Sequence, residues 1–132
     1  MNLCWVRRDL RLHDHAALSK ALSDGETTLV FVFDPLILNK LPDKNDRRVT
    51  FIYQSLVEME LSLRELNSSL IIKYGDPVKV IPEIAKELKA VNVYCNRDYE
   101  PYAKERDQNV GKALTELGIA FDQFKDSVFF EK

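Results

Sequence analysis

Five short apolar runs alternate with stretches of helical periodicity, and that alternation constrains the fold more than any other feature. The runs are Asn2–Val6, Thr28–Phe33, Leu70–Lys73, Asn92–Cys95 and Ala120–Gln123, rich in Val, Ile and Phe. The first two are nearly continuous in their apolar character. Central strands of a parallel sheet read this way because helices cover both of their faces. The fifth run is the weakest strand and suits a sheet edge.

The intervening stretches carry helix signals. Asp14 can cap a helix from His15 to about Leu22, with Ala17, Leu18, Ala21 and Leu22 inward and Gly25 ending it. From Asp46, the residues Val49, Ile52, Tyr53, Leu56, Met59, Leu63 and Leu66 keep a helical apolar spacing. Asp76-Pro77 reads as an N-cap followed by proline at the first helical position, with Val80, Ile81, Ile84 and Leu88 on the buried face. A fourth helix begins near Glu100-Pro101, carries Tyr102, Val110, Ala113, Leu114 and Leu117, and stops at Gly118. The order β-α-β-α-β-α-β-α-β, with right-handed crossovers, predicts an α/β fold: a doubly wound, Rossmann-like, five-stranded parallel sheet in the order 3-2-1-4-5. Asn39–Asp46, polar and proline-containing, reads as a mobile loop.

At 132 residues the chain has the size of one domain. Its net charge of −2 argues against a stand-alone nucleic-acid binder, whose phosphate grip needs a basic surface. Cys4 and Cys95 each fall inside a strand and read as buried free thiols suited to a reducing cytosol. There is no C-x-x-C, and His13 and His15 make a poor metal set. No run approaches the ~20 apolar residues that span a bilayer, and Arg7 and Arg8 interrupt any signal-peptide core. A cytoplasmic protein without a membrane partner is expected.

In the order 3-2-1-4-5, the loops after strands one and four diverge and leave a crevice, where open α/β sheets bind ligands. The first loop supplies Arg7, Arg8, Asp9 and Arg11; the second supplies Asn96, Arg97, Asp98 and Tyr99; strand two ends beside them in Asp34-Pro35. Such a pocket suits a planar, hydrogen-bonding ligand. By composition alone, however, the arginines read first as a solvated loop or as ion pairs with Asp9 and Asp14. Asp34 before proline reads as a turn residue, Arg47-Arg48 as a solvated first helical turn, Tyr102 as core at helical spacing, and Trp5 as core. Only the meeting of three loops at one crevice raises the ligand reading. No G-x-G-x-x-G follows strand one and no P-loop is present. No nucleophile or tuned base stands out, so no catalytic residue is assigned. The residues alone define an α/β domain with a small-ligand crevice.

Trp5-Val6-Arg7-Arg8-Asp9-Leu10-Arg11-Leu12-His13-Asp14 resembles the N-terminal signature of the photolyase/cryptochrome family. The likeness continues through Phe33-Asp34-Pro35, Arg48-Val49, Gly75-Asp76-Pro77, Asn96-Arg97-Asp98-Tyr99-Glu100-Pro101-Tyr102, Glu105-Arg106-Asp107 and Phe124-Lys125-Asp126-Ser127-Val128, in order along the whole chain. The resemblance implies that residues 1–132 are the α/β antenna domain of a deoxyribodipyrimidine photolyase, not catalytic alone. Its partner would be a C-terminal helical domain, absent from this chain, that binds FAD and receives damaged DNA. Light-excited reduced FAD would then split the pyrimidine dimer by electron transfer. Val128–Phe130 resembles the start of the interdomain connector.

The resemblance also implies a second chromophore in the crevice. Tyr102 and Ala103 stand where folate-binding members show Asn-Glu, so deazaflavin or FMN is implied ahead of methenyltetrahydrofolate. Matched by motif, the chromophore residues are Arg8, Asp34, Arg48, Asp98, Glu100 and Tyr102. Val6 and His15 depart from the pattern, where relatives often carry Phe or His and Asn respectively. Two alternatives stay open: the same domain of a cryptochrome photoreceptor, and an autonomous flavin- or nucleotide-binding domain.

Overall fold

The structure, a computed structural model, describes residues 1–7, 16–33, 47–65, 68–98 and 101–125, with backbone alone at 16, 47–51 and 65. In chain order the elements are β1 (Asn2–Val6), α1 (Ala16–Asp24), β2 (Thr27–Phe33), α2 (Arg47–Glu65), β3 (Ser69–Tyr74), α3 (Pro77–Glu87), β4 (Asn92–Asn96), α4 (Pro101–Glu116) and β5 (Ala120–Phe124). The five strands form one sheet in the order β3-β2-β1-β4-β5, and every pairing is parallel. Register places Asn2 beside both Thr27 and Asn92, and Val6 beside Phe31. All strands therefore end on one edge. Doubly wound order and strand placement are as the sequence predicts.

Each face of the sheet has its own core. On one, Leu3, Trp5, Val30, Val32, Val93 and Cys95 pack against Ile81, Ile84 and Ala85 of α3 and Val110 and Leu114 of α4. On the other, Cys4, Val6, Leu29, Phe31 and Tyr94 meet Ala17, Leu18 and Ala21 of α1 and Leu56, Met59 and Leu63 of α2. Period-2 alternation sends neighbours such as Cys4 and Trp5 to opposite sides, and both sides are covered. The outer strands show the converse: β3 and β5 are mostly exposed or half-buried. Both cysteines are free and buried.

Local chemistry sets the helix ends. Asp76 Oδ1 accepts from the Val78 amide at 3.0 Å, and Pro77 begins α3 without a donor to leave unpaired. Gly118, at φ +75°, stops α4 while the Ile119 amide bonds back to the Leu114 carbonyl at 2.9 Å. Gly111 lets α4 approach β5: a Cβ there would stand 3.1 Å from Phe121 Cδ2.

The predicted inward faces are buried at most positions, with exceptions at their margins. Leu22, Tyr53 and Leu117 are exposed rather than inward, and so is Tyr102. On α4 the buried positions are Ala103, Asp107, Val110 and Leu114. Their i, i+4, i+7, i+11 spacing is the true inward stripe, but it contains a carboxylate. An apolar-only reading skips that position and slides the stripe. Asp14, Asn39–Asp46, Leu66 and Val128–Phe130 lie outside the described residues, as does the side chain of Val49.

The end of α1 is tied to the sheet by Asn2 Nδ2, which donates to the Ala21 carbonyl at 3.1 Å, and by Tyr94 Oη, which donates to Asp24 Oδ2 at 2.5 Å. Burial pushes the Tyr94 hydroxyl up to about 12, and the bond to Asp24 adds to that. The same bond, with Lys20 beside it, holds Asp24 below its ordinary value. A raised folded value means stability fully present below the unfolded tyrosine value near 10 and lost as pH rises from about 10 to 12. Tyr94→Phe removes that loss. Urea unfolding at pH 9 and pH 11 should show the wild type losing on the order of 1 kcal/mol more than the variant over this interval. Equal losses would mean the hydroxyl does not carry the dependence.

Candidate functional site

At the strand ends, β1 runs into Arg7 and β4 into Asn96-Arg97-Asp98, two neighbouring strands whose chains leave toward opposite faces. This is the topological switch point, where such sheets bind ligands. Arg7 is not solvated. Its side chain is 8% exposed, and its Nη1 donates to Asp107 Oδ1 at 2.9 Å. Its Nη2 donates to the Asn96 carbonyl. The guanidinium carbon lies 4.5 Å from the Trp5 ring centroid. The predicted Arg7 loop cation is thus a brace that ties β1 to β4 and α4.

Arg106 completes the cluster from α4. Its Nε donates to Asp107 Oδ1 at 3.1 Å, and its Nη2 lies 3.7 Å from Asp98 Oδ2. The same guanidinium sits 5.0 Å from the Trp5 centroid and 5.7 Å from the Tyr102 centroid. Gln123 Nε2 approaches Asp107 Oδ2 at 3.4 Å from β5. Asp107 is therefore a 3%-exposed carboxylate with donors from three elements. A buried charge persists only when paired in this way. Among the described residues, Arg7 and Arg106 formally balance Asp98 and Asp107.

On the opposite face, Asn96 Oδ1 accepts from the Ala17 amide at 2.9 Å. Helix N-termini are anion sites because their amides lack partners. Here one of those amides is satisfied by the protein itself. This agrees with the missing glycine fingerprint and argues against a pyrophosphate seated on α1 as in dinucleotide-binding domains.

The predicted chromophore residues divide cleanly. Asp98 and Tyr102 are brought together around Arg106. Tyr102 is half-exposed, so its ring can face a ligand where a core residue could not. Arg48 lies in the first turn of α2, described by its backbone only; Arg8, Asp34 and Glu100 lie outside the described residues. Arg7 and Asn96, expected at the crevice, serve as braces, and Trp5, Arg106, Asp107 and Gln123 join this framework without having been expected there. A signal for them existed: Asp107 is a lone carboxylate in phase with Ala103, Val110 and Leu114, and such a residue demands a buried cation.

A concavity of about 530 Å³ between α4 and β5 is lined by Gly111, Lys112, Thr115, Glu116 and Phe121. It lies toward the other edge of the sheet and is not part of this cluster. Among the described residues, no helix is long and apolar enough to cross a membrane.

The all-parallel sheet, its order and the charged cluster at its switch point define a Rossmann-like α/β domain without the dinucleotide glycine fingerprint. Comparison with known proteins narrows that class: residues 2–132 match the DNA photolyase family model, and the chain belongs to this family. It is 36% identical over 138 residues to a deoxyribodipyrimidine photo-lyase of Halobacterium salinarum, covering 97% of this chain and 28% of that protein. Among solved structures, a cryptochrome of Synechocystis matches with TM-score 0.86 and 34% identity, over 95% of this chain and 27% of that one. A photolyase of Sulfolobus tokodaii, solved with two FAD molecules and described as implying a novel light-harvesting cofactor, matches with TM-score 0.83 and 35% identity, over 95% and 29% of the two chains. The chain spans less than a third of the length of each of these three relatives.

Proposed function

We propose that this chain is the light-harvesting antenna domain of a DNA photolyase and holds a planar chromophore at the β1/β4 switch point. The observation that carries this reading is the gathering of Asp98, Tyr102 and Arg106 at the strand ends of a photolyase-family domain. The set fits a ring system: an aromatic face at Tyr102 and a carboxylate at Asp98, with the buried Arg106 guanidinium behind them. Arg8, Asp34, Arg48 and Glu100 would complete the contacts. Deazaflavin or FMN is favoured over methenyltetrahydrofolate because Tyr102-Ala103 replaces the Asn-Glu of folate binders. When bound, such a group absorbs light and passes the energy on.

In the full-length parent, that energy would reach FAD in a C-terminal helical domain, which splits pyrimidine dimers in damaged DNA. The likeness to the Synechocystis cryptochrome supports a second reading, in which the same domain serves a photoreceptor. Blue-light dimer repair by the longer parent protein separates the two.

Titrating FMN and a deazaflavin into the 132-residue chain should quench their fluorescence, and Asp98→Ala should weaken binding about tenfold, the loss expected for one charged hydrogen bond. Tighter binding of methenyltetrahydrofolate than of either flavin would refute the chromophore assignment.

A further inference from the structure

We propose that Arg106 is the positioning residue of this crevice, holding Asp98 and Tyr102 in place so that chromophore affinity depends on Arg106 through Asp98. The proposal rests on the antenna reading and adds to it a residue that reading does not include among the chromophore contacts. The geometry is specific. Arg106 is 10% exposed, and the bond from Nε to Asp107 at 3.1 Å fixes one edge of its planar fork. Trp5, at 5.0 Å, lies against the guanidinium, and Tyr102, at 5.7 Å, is a second ring held by the same cation. Of the two terminal nitrogens, Nη2 lies 3.7 Å from Asp98 Oδ2.

That last distance matters. It is close enough for a strong Coulomb attraction in a dry site but too long for a hydrogen bond. Nη2 is fully buried and makes no hydrogen bond among the described residues. A guanidinium N–H left in this state is costly, and a carboxylate shift of about 1 Å would close the bond. Arg106 therefore holds the Asp98 carboxylate by charge rather than by a hydrogen bond. Asp107 plays the anchoring part: it is paired to both arginines and is itself only 3% exposed.

The test is a double-mutant cycle on FMN affinity, read by flavin fluorescence in the 132-residue chain. Asp98→Ala and Arg106→Gln should each weaken FMN binding about tenfold, and the double variant should bind no more weakly than either single one. Arg106→Lys keeps the charge but loses the fork, and should recover part of the affinity. It also serves where Arg106→Gln does not give a folded chain by circular dichroism. Wild-type affinity in Arg106→Gln, or losses that multiply to about a hundredfold in the double variant, would overturn the inference while leaving the antenna reading standing. If Asp98→Ala itself binds FMN as the wild type does, the Asp98 contact assigned in that reading fails first, and the inference with it.

Discussion

Asp107→Ala is expected to destabilise the chain by about 3–5 kcal/mol, the cost of breaking a buried ion pair by removing one partner. The variant removes the carboxylate that joins Arg7, 8% exposed, to Arg106, 10% exposed, while Asp98 stays 3.7 Å from Arg106. Gln123 loses its acceptor as well. The tie from β1 through Arg7 to α4 goes with it, so the loss should appear at the strand ends where the crevice lies. Asp107→Asn keeps an acceptor and loses the charge, and should fall between variant and wild type. Urea unfolding followed by far-UV circular dichroism measures both, with an unchanged m-value as the sign that stability alone has moved. A loss below about 1 kcal/mol would place these pairs with surface salt bridges and remove their role as a buried brace.

Trp5→Ala should cost a comparable about 3–5 kcal/mol. The side chain is among the largest that are fully buried, in the middle strand of the sheet, and α3 and α4 pack over that face. Truncation would leave a cavity that rigid neighbours in β1, β2 and β4 cannot close. It would also remove the π face beneath two guanidiniums, each such contact contributing roughly 0.5–2 kcal/mol. Trp5→Phe keeps an aromatic face and most of the packing, so it should recover the larger part. The chain has a single tryptophan, so circular dichroism rather than intrinsic fluorescence must report unfolding. If Trp5→Ala loses no more than Trp5→Phe, neither the cavity nor the stacked cations matter.

The two expectations concern one cluster, and the cluster joins fold to function. Ordinary α/β domains of this order leave the switch point open for a dinucleotide. Here Trp5, Arg7, Arg106 and Asp107 fill one side, and Asn96 takes an amide of α1 on the other. In the antenna reading, Asp98 and Tyr102 are the described residues that would meet the chromophore.

Much of the architecture was legible in the sequence because it depends on local pattern. Near-continuous runs such as Thr28–Phe33 are apolar on both sides, and covered strands require that; their alternation with helices leaves few topologies. Caps were equally legible, since Asp76-Pro77 and Gly118 act within one turn of themselves. Helix faces were less so. Tyr53 and Tyr102 fall at helical spacing yet are exposed, because periodicity gives a stripe's spacing and leaves its exact rotation to the packing partner.

The site divides along the same line. That Arg7, Asn96 and Asp98 meet at the strand ends followed from strand order, and the likeness to the photolyase signature pointed to the family to which the chain belongs. The sequence by itself thus determined the sheet, its switch point and the strand-end residues Arg7, Asn96 and Asp98, because each rests on spacing within short segments. Only the tertiary structure decided what those residues do there. Arg7 and Asp107 are 100 residues apart in sequence, and Asn96 and Ala17 are 79 apart. No local pattern encodes such a pairing; it exists because a parallel sheet brings every strand end to one edge, where a buried charge must find its partner.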